Sequence, residues 1–146
     1  MDCRSHIDTH PNIDPAIVAY LTLHANAIMC AEIESVVTKM VRERIERGTD
    51  EATGNFLKSM RRSAVRNATF SEIRDTIGLF GKEHRSRFEE LVDDSVGEAG
   101  KAILGMAVDH RNKTAHETPP NITFHELERA YSVASSVVDS VSQVFQ

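Results

Sequence analysis

The chain has 146 residues, a formal charge of −5 at pH 7, 40% hydrophobic residues and 27% charged residues. That is enough chain for one domain with a real core, and the acidic balance speaks against a protein that coats nucleic acid non-specifically, while leaving room for a local basic groove. Two cysteines, Cys3 and Cys30, make no disulfide framework and read as a reduced, cytoplasmic protein with Cys30 buried as a small hydrophobe. No membrane partner is expected, because no apolar run approaches the roughly 20 residues of a spanning helix.

Residues 1–14 are polar, with no apolar stretch of a secretory signal, and read as a flexible N-terminal tail. His6 and His10 have metal-binding spacing for a helix, but Thr9, Pro11 and Asn12 argue against a helix there. Residues 15–146 read as a single helical domain. Asp14-Pro15 is an N-cap followed by proline at the first helical position, and a long helix runs to Arg47-Gly48, with glycine as the stop. Its inner stripe is predicted as Leu21, Ala25, Met29, Ile33, Val36 and Met40. A second helix is predicted over 50–66, with Phe56, Leu57, Met60, Ala64 and Val65 inside and Lys58, Arg61, Arg62 and Arg66 outside.

Asn67-Ala68-Thr69 is a break. Two short helices follow, over about 71–80 and 82–92, split at Gly81; Lys82, Arg85 and Arg87 there are interleaved with acids, as on a solvated face. Ser95-x-x-Glu98 is a capping box opening a helix to about 110–115, where Gly105 is the candidate for close helix approach. Thr118-Pro119-Pro120 ends it. Thr123-x-x-Glu126 is a second capping box. The helix it starts carries Phe124, Leu127, Tyr131, Ala134, Val138, Val141 and Phe145 at alternating spacings of three and four, a bundle seam. The fold class is therefore all-α, an antiparallel four-helix-bundle-like domain with additional short helices. The chain has no zinc spacing, phosphate loop, dinucleotide fingerprint or nucleophile elbow, so no metal or other cofactor is expected.

Residues 111–116 read Arg-Asn-Lys-Thr-Ala-His. Arg111 is a permanent planar cation that fits phosphate oxygens, and His116 can exchange a proton near neutral pH. RNA carries its own nucleophile, the 2′-hydroxyl, so cutting it takes a base, an acid and a cation, and Arg111 and His116 supply two of the three. Asn112 supports them, Glu117 is a candidate for orienting His116, and Lys113, Arg61, Arg62 and Arg66 are candidate substrate cations. His110 reads as helix packing or a dimer contact. Five residues apart on an unbroken helix is about 140° of arc, so Arg111 and His116 converge only where the helix ends or in a wide groove. The residues alone leave a second reading open, in which Arg111 and His116 simply cap the negative end of a helix.

This stretch resembles the Arg-x4–6-His motif of HEPN domains. With Arg66-Asn67-Ala68-Thr69-Phe70-Ser71-Glu72-Ile73 and the order of segments, the chain looks most like the RiboL-PSP-HEPN group over about 15–145. The resemblance implies a metal-independent endoribonuclease whose homodimer places both motifs in one cleft. It also implies Arg111 and His116 as the catalytic pair, Asn112 as their polar helper, and a toxin or antiviral-defence role, with a protein antitoxin as partner. A subset of such toxins has a modifiable tyrosine two residues after the histidine; Thr118 stands there in this chain. The rival expectations are a non-catalytic module that binds RNA, a nucleotide or a protein, and a purely structural helical dimer.

Overall fold

The computed structural model describes residues 3–10, 12–48, 65–114 and 122–146. Among them are six helices and no strand: α1 (Cys3–Thr9), α2 (Pro15–Glu46), α3 (Phe70–Gly78), α4 (Lys82–Ser95), α5 (Gly97–Thr114) and α6 (Phe124–Val144). The all-α, four-helix-bundle-like class read from the sequence holds. Helix α6 packs on α2, α4 and α5, α2 also meets α5, and α3 lies on α4. Phe88, Ile73, Ile77, Leu104, Val37, Val92, Val108, Val137 and Val141 are sealed in the shared core.

The segment expected as a flexible tail contains α1. Arg4 pairs with Asp8 one turn on at 2.9 Å and with Glu128 of α6 at 2.5 Å, and Thr9 Oγ1 donates to the Ser5 carbonyl at 2.7 Å. Thr9 and Asn12 thus lie at or beyond the end of a short helix that they were expected to prevent.

Helix α2 begins as predicted. The Asp14 carboxylate accepts the Ala16 N–H at 2.8 Å, with Pro15 at the first position. Its end needs no left-handed glycine: Gly48 donates to the Ile45 carbonyl at 3.1 Å, and only Gly81 and Gly97 have positive φ among the described residues. The expected absence of a membrane-length run does not stand. An 18-residue window of α2 has a mean hydropathy of 1.5 and is 28% buried, so this helix is long and apolar enough to cross a membrane by length and composition. In the bundle it spends that apolarity on both sides. Met29, Cys30, Ile33, Val37 and Val41 enter the core, while Ile17, Tyr20 and Ile28 face outward.

Several predicted faces are rotated. In α2, Thr22 and Asn26 are buried while Leu21, Ala25, Val36 and Met40 sit half-buried at the margins. Thr22 Oγ1 donates to the Val18 carbonyl at 2.8 Å, and Asn26 Nδ2 to the Ala107 carbonyl of α5 at 2.9 Å, so neither polar group is buried unpaired. In α6, Ala130, Val137 and Ser140 join Leu127, Ala134 and Val141 inside, whereas Tyr131 is 55% exposed. Ser140 Oγ bonds back to the Ser136 carbonyl at 2.9 Å, which makes its burial cheap.

The helix predicted over 50–66 falls outside the described residues, except that Val65 and Arg66 are not helical. Close helix approach occurs at Gly100, not Gly105. A Cβ on Gly100 would stand 3.3 Å from Val133 of α6 and would collide with Val96, while one on Gly105 would meet nothing within 4 Å.

The two capping signatures part company. At Thr123 the box is complete: its hydroxyl accepts the Glu126 N–H at 3.2 Å, and Glu126 accepts the Thr123 N–H at 2.8 Å. Ser95 is instead the last residue of α4, its hydroxyl donating to the Leu91 carbonyl at 2.7 Å. Thr123→Ala therefore costs about 1 kcal/mol in urea unfolding, whereas Ser95→Ala stays within about 0.5 kcal/mol of wild type. Hydrogen bonds from the Thr123 backbone and hydroxyl hold the Glu126 carboxyl below its ordinary pKa. A depressed carboxyl stabilises the fold above its unfolded pKa, so this contribution is present at neutral pH and is lost as the pH falls through the folded-state value. In Glu126→Gln that part of the acid sensitivity disappears.

Candidate functional site

Arg111 lies in the last turn of α5, where a cation suits the helix dipole, and it is 20% exposed. Its surroundings come from three parts of the chain. From α2, Glu34 accepts Arg111 Nη1 at 2.5 Å, with both side chains equally shielded. From the turn before α3, Asn67 Oδ1 accepts Nη2 at 3.2 Å. From α5 itself, Asn112 Oδ1 accepts Nε at 3.2 Å and Nη2 at 3.1 Å. Among the described residues these four bonds use four of the five guanidinium hydrogens and leave one, on Nη1, for another acceptor.

Each partner is itself held. Glu72 of α3 draws the preceding turn in, accepting the Arg66 N–H at 2.6 Å, the Asn67 N–H at 3.2 Å and Asn67 Nδ2 at 3.3 Å. With its amide nitrogen on Glu72, Asn67 must turn its carbonyl oxygen to the cation. Asn26 donates to the carbonyl of Ala107, one turn before Arg111, and so fixes the register of α2 against the end of α5. Cys30 lies under the site. Burial pushes its thiol up, with Arg111 acting against that and Glu34 with it, so Cys30 stays a neutral thiol at physiological pH.

The structure thus brings together Arg111 and Asn112 of the sequence-predicted set. Lys113 is exposed and only distantly paired, at 4.0 Å, with Asp109. Arg66 is exposed and contributes its backbone N–H to Glu72 rather than its charge to the cluster. His116, Glu117, Arg61 and Arg62 lie outside the described residues. The sequence reading missed Glu34, Asn67 and Glu72 as parts of the site. The last two stand in the very stretch quoted for the family resemblance, while Glu34 is one of several acids along α2.

The chemistry available is anion binding by a pre-oriented, charge-compensated guanidinium, with amide groups beside it. The ion pair is shielded enough that breaking it is felt. Glu34→Ala costs about 1–3 kcal/mol, and a cycle with Arg111→Met recovers at least about 1 kcal/mol of coupling in urea unfolding. Additive losses would show that the pair is not energetically formed.

No curated relative and no solved structure matched the chain. The family model described as RiboL-PSP-HEPN matches residues 3–146, nearly the whole length. A match of that extent, over an all-α bundle, points to a nuclease or RNA-related role. The chain belongs to the RiboL-PSP-HEPN family.

Proposed function

We propose that this protein is a metal-independent endoribonuclease that cuts RNA by attack of the 2′-hydroxyl on the adjacent phosphate. The observation that carries the reading is the Arg111 cluster: a permanent cation fixed by Glu34, Asn67 and Asn112, with one donor left for a phosphate oxygen. His116 takes its role from its place in the motif, five residues after Arg111. A histidine removes the 2′-hydroxyl proton, the oxygen attacks phosphorus, and Arg111 meets the charge growing on the equatorial oxygens. The 5′-oxygen leaves with a proton from an acid on the opposite side. The products are a 2′,3′-cyclic phosphate and a 5′-hydroxyl.

One motif supplies one histidine, and acid and base on opposite sides of the phosphate call for a second, so the reading includes a two-fold homodimer. An exposed apolar stripe supports that reading. Ile17, Tyr20, His24, Ala27, Ile28 and Ala31 are exposed and fall within about 100° of arc on α2, just before Glu34. A copy seated there stands beside the Arg111 cluster. In the cell the reading is a cytoplasmic toxin or antiviral-defence effector, restrained by a protein antitoxin.

A second reading is favoured by one observation: Glu34 already meets the charge of Arg111, as in a module that grips RNA, a nucleotide or a protein without cutting. Cleavage of single-stranded RNA in excess chelator separates the two. Arg111→Ala and His116→Ala are each expected to lower the rate at least about 100-fold, and wild type to leave cyclic phosphate ends. Undiminished cutting by both variants would sink the assignment. Tyr20→Asp is expected to elute as a monomer in size-exclusion chromatography and to lose cleavage, while a fully active monomer would remove the shared site.

A further inference from the structure

Two histidines stand apart from the Arg111 cluster. His6 and His10 are four residues apart, a spacing that sets two side chains one above the other wherever the chain is helical. The chain is helical there. Helix α1 spans Cys3–Thr9, and the His10 N–H carries the coil one residue further by donating to the Ile7 carbonyl at 3.3 Å. The two imidazole rings lie 4.4 Å apart, centroid to centroid, tilted by 35°. Two imidazoles that share one metal at about 2.0–2.1 Å per nitrogen hold their centroids about 4.5–5 Å apart, so the rings already stand at nearly the spacing of a chelate.

The hydrogen bonds around His10 fix which of its nitrogens is available. Nδ1 lies 2.9 Å from the His6 carbonyl, which can only accept, so the proton is on Nδ1. Thr9 Oγ1, 3.1 Å from Nδ1, agrees: it gives its own proton to the Ser5 carbonyl at 2.7 Å and turns a lone pair to the ring. The lone pair of His10 is therefore on Nε2. A metal-ligating histidine has this arrangement, with its other nitrogen tied to a carbonyl that sets tautomer and ring orientation. His6 is half-buried, and the ring it meets is that of His10. Among the described residues no third histidine, cysteine or carboxylate joins the pair, so water takes the remaining positions around an ion. Imidazole donors select late first-row ions such as zinc and copper(II) over magnesium and calcium, which take oxygen.

We propose that His6 and His10 form a surface site for one late first-row divalent metal ion, and that the ion clips α1 into its helix. A helix of seven residues has little stability of its own. Arg4 joins it to Glu128 of α6 and to Asp8 one turn on, but these ion pairs are largely exposed, and exposed pairs contribute little. An ion held by residues four apart closes a turn that the unfolded segment does not hold, so binding and helix formation support each other. The inference is independent of the RNA reading of the Arg111 cluster.

Isothermal titration calorimetry of the full chain with Zn²⁺, and separately with Mg²⁺, tests the site. Zn²⁺ is expected to show one equivalent of binding that Mg²⁺ does not reproduce. His6→Gln and His10→Gln are each expected to weaken that equivalent at least about tenfold at an unchanged unfolding midpoint. Amide hydrogen exchange at residues 7–10 is expected to slow about tenfold with saturating Zn²⁺. No binding by wild type up to about 1 mM Zn²⁺ would overturn the site, and so would binding within about twofold of wild type in both variants. Loss in one variant only would leave a single ligand and overturn the chelate. Binding without slower exchange would overturn the clip.

Discussion

A guanidinium that cannot lose its proton sits four-fifths buried where the end of α5 meets α2. Placing that charge there is costly unless geometry and hydrogen bonds meet it, and the structure around it is organised by that demand. Glu34 supplies the counter-charge, Asn67 and Asn112 the remaining acceptors, and Glu72 freezes the turn that presents Asn67. The register between α2 and α5 cannot slip by even one residue without separating Glu34 from Arg111, and Asn26 locks it by bonding to the turn before Arg111. Polar side chains thus fix where the helices sit, and the aliphatic core around them supplies the cohesion.

The same demand explains which parts of the fold were legible in the sequence. Helix boundaries set by local chemistry came through. Asp14-Pro15 and Thr123-x-x-Glu126 act within one turn, and both do what their residues announce. Faces set by tertiary pairing did not. The predicted stripes left out Thr22, Asn26 and Ser140, yet all three are inside because their hydrogen-bonding capacity is met there. Ser95-x-x-Glu98 matched the capping pattern as well as Thr123-x-x-Glu126. The difference is that α4 runs on through Ser95, which leaves that hydroxyl facing its own carbonyls rather than free amides.

The candidate site was half legible for a related reason. Arg111 and Asn112 stood out because they open the Arg-x4-His stretch, which sets a cation, an amide and an imidazole within six residues. Glu34 could not stand out. It is 77 positions away from its partner, on a helix lined with other acids, and only the packing of α2 against α5 selects it. Asn67 and Glu72 were part of the stretch that marked the family, but their task, turning one amide oxygen toward Arg111, is visible only once the turn is folded.

These constraints also bear on how such a site can work. A guanidinium bonded four ways is pre-oriented, so binding phosphate costs it little further ordering, but its charge is already shared with Glu34. A phosphate arriving at the remaining Nη1 hydrogen therefore meets a directional donor more than a bare cation.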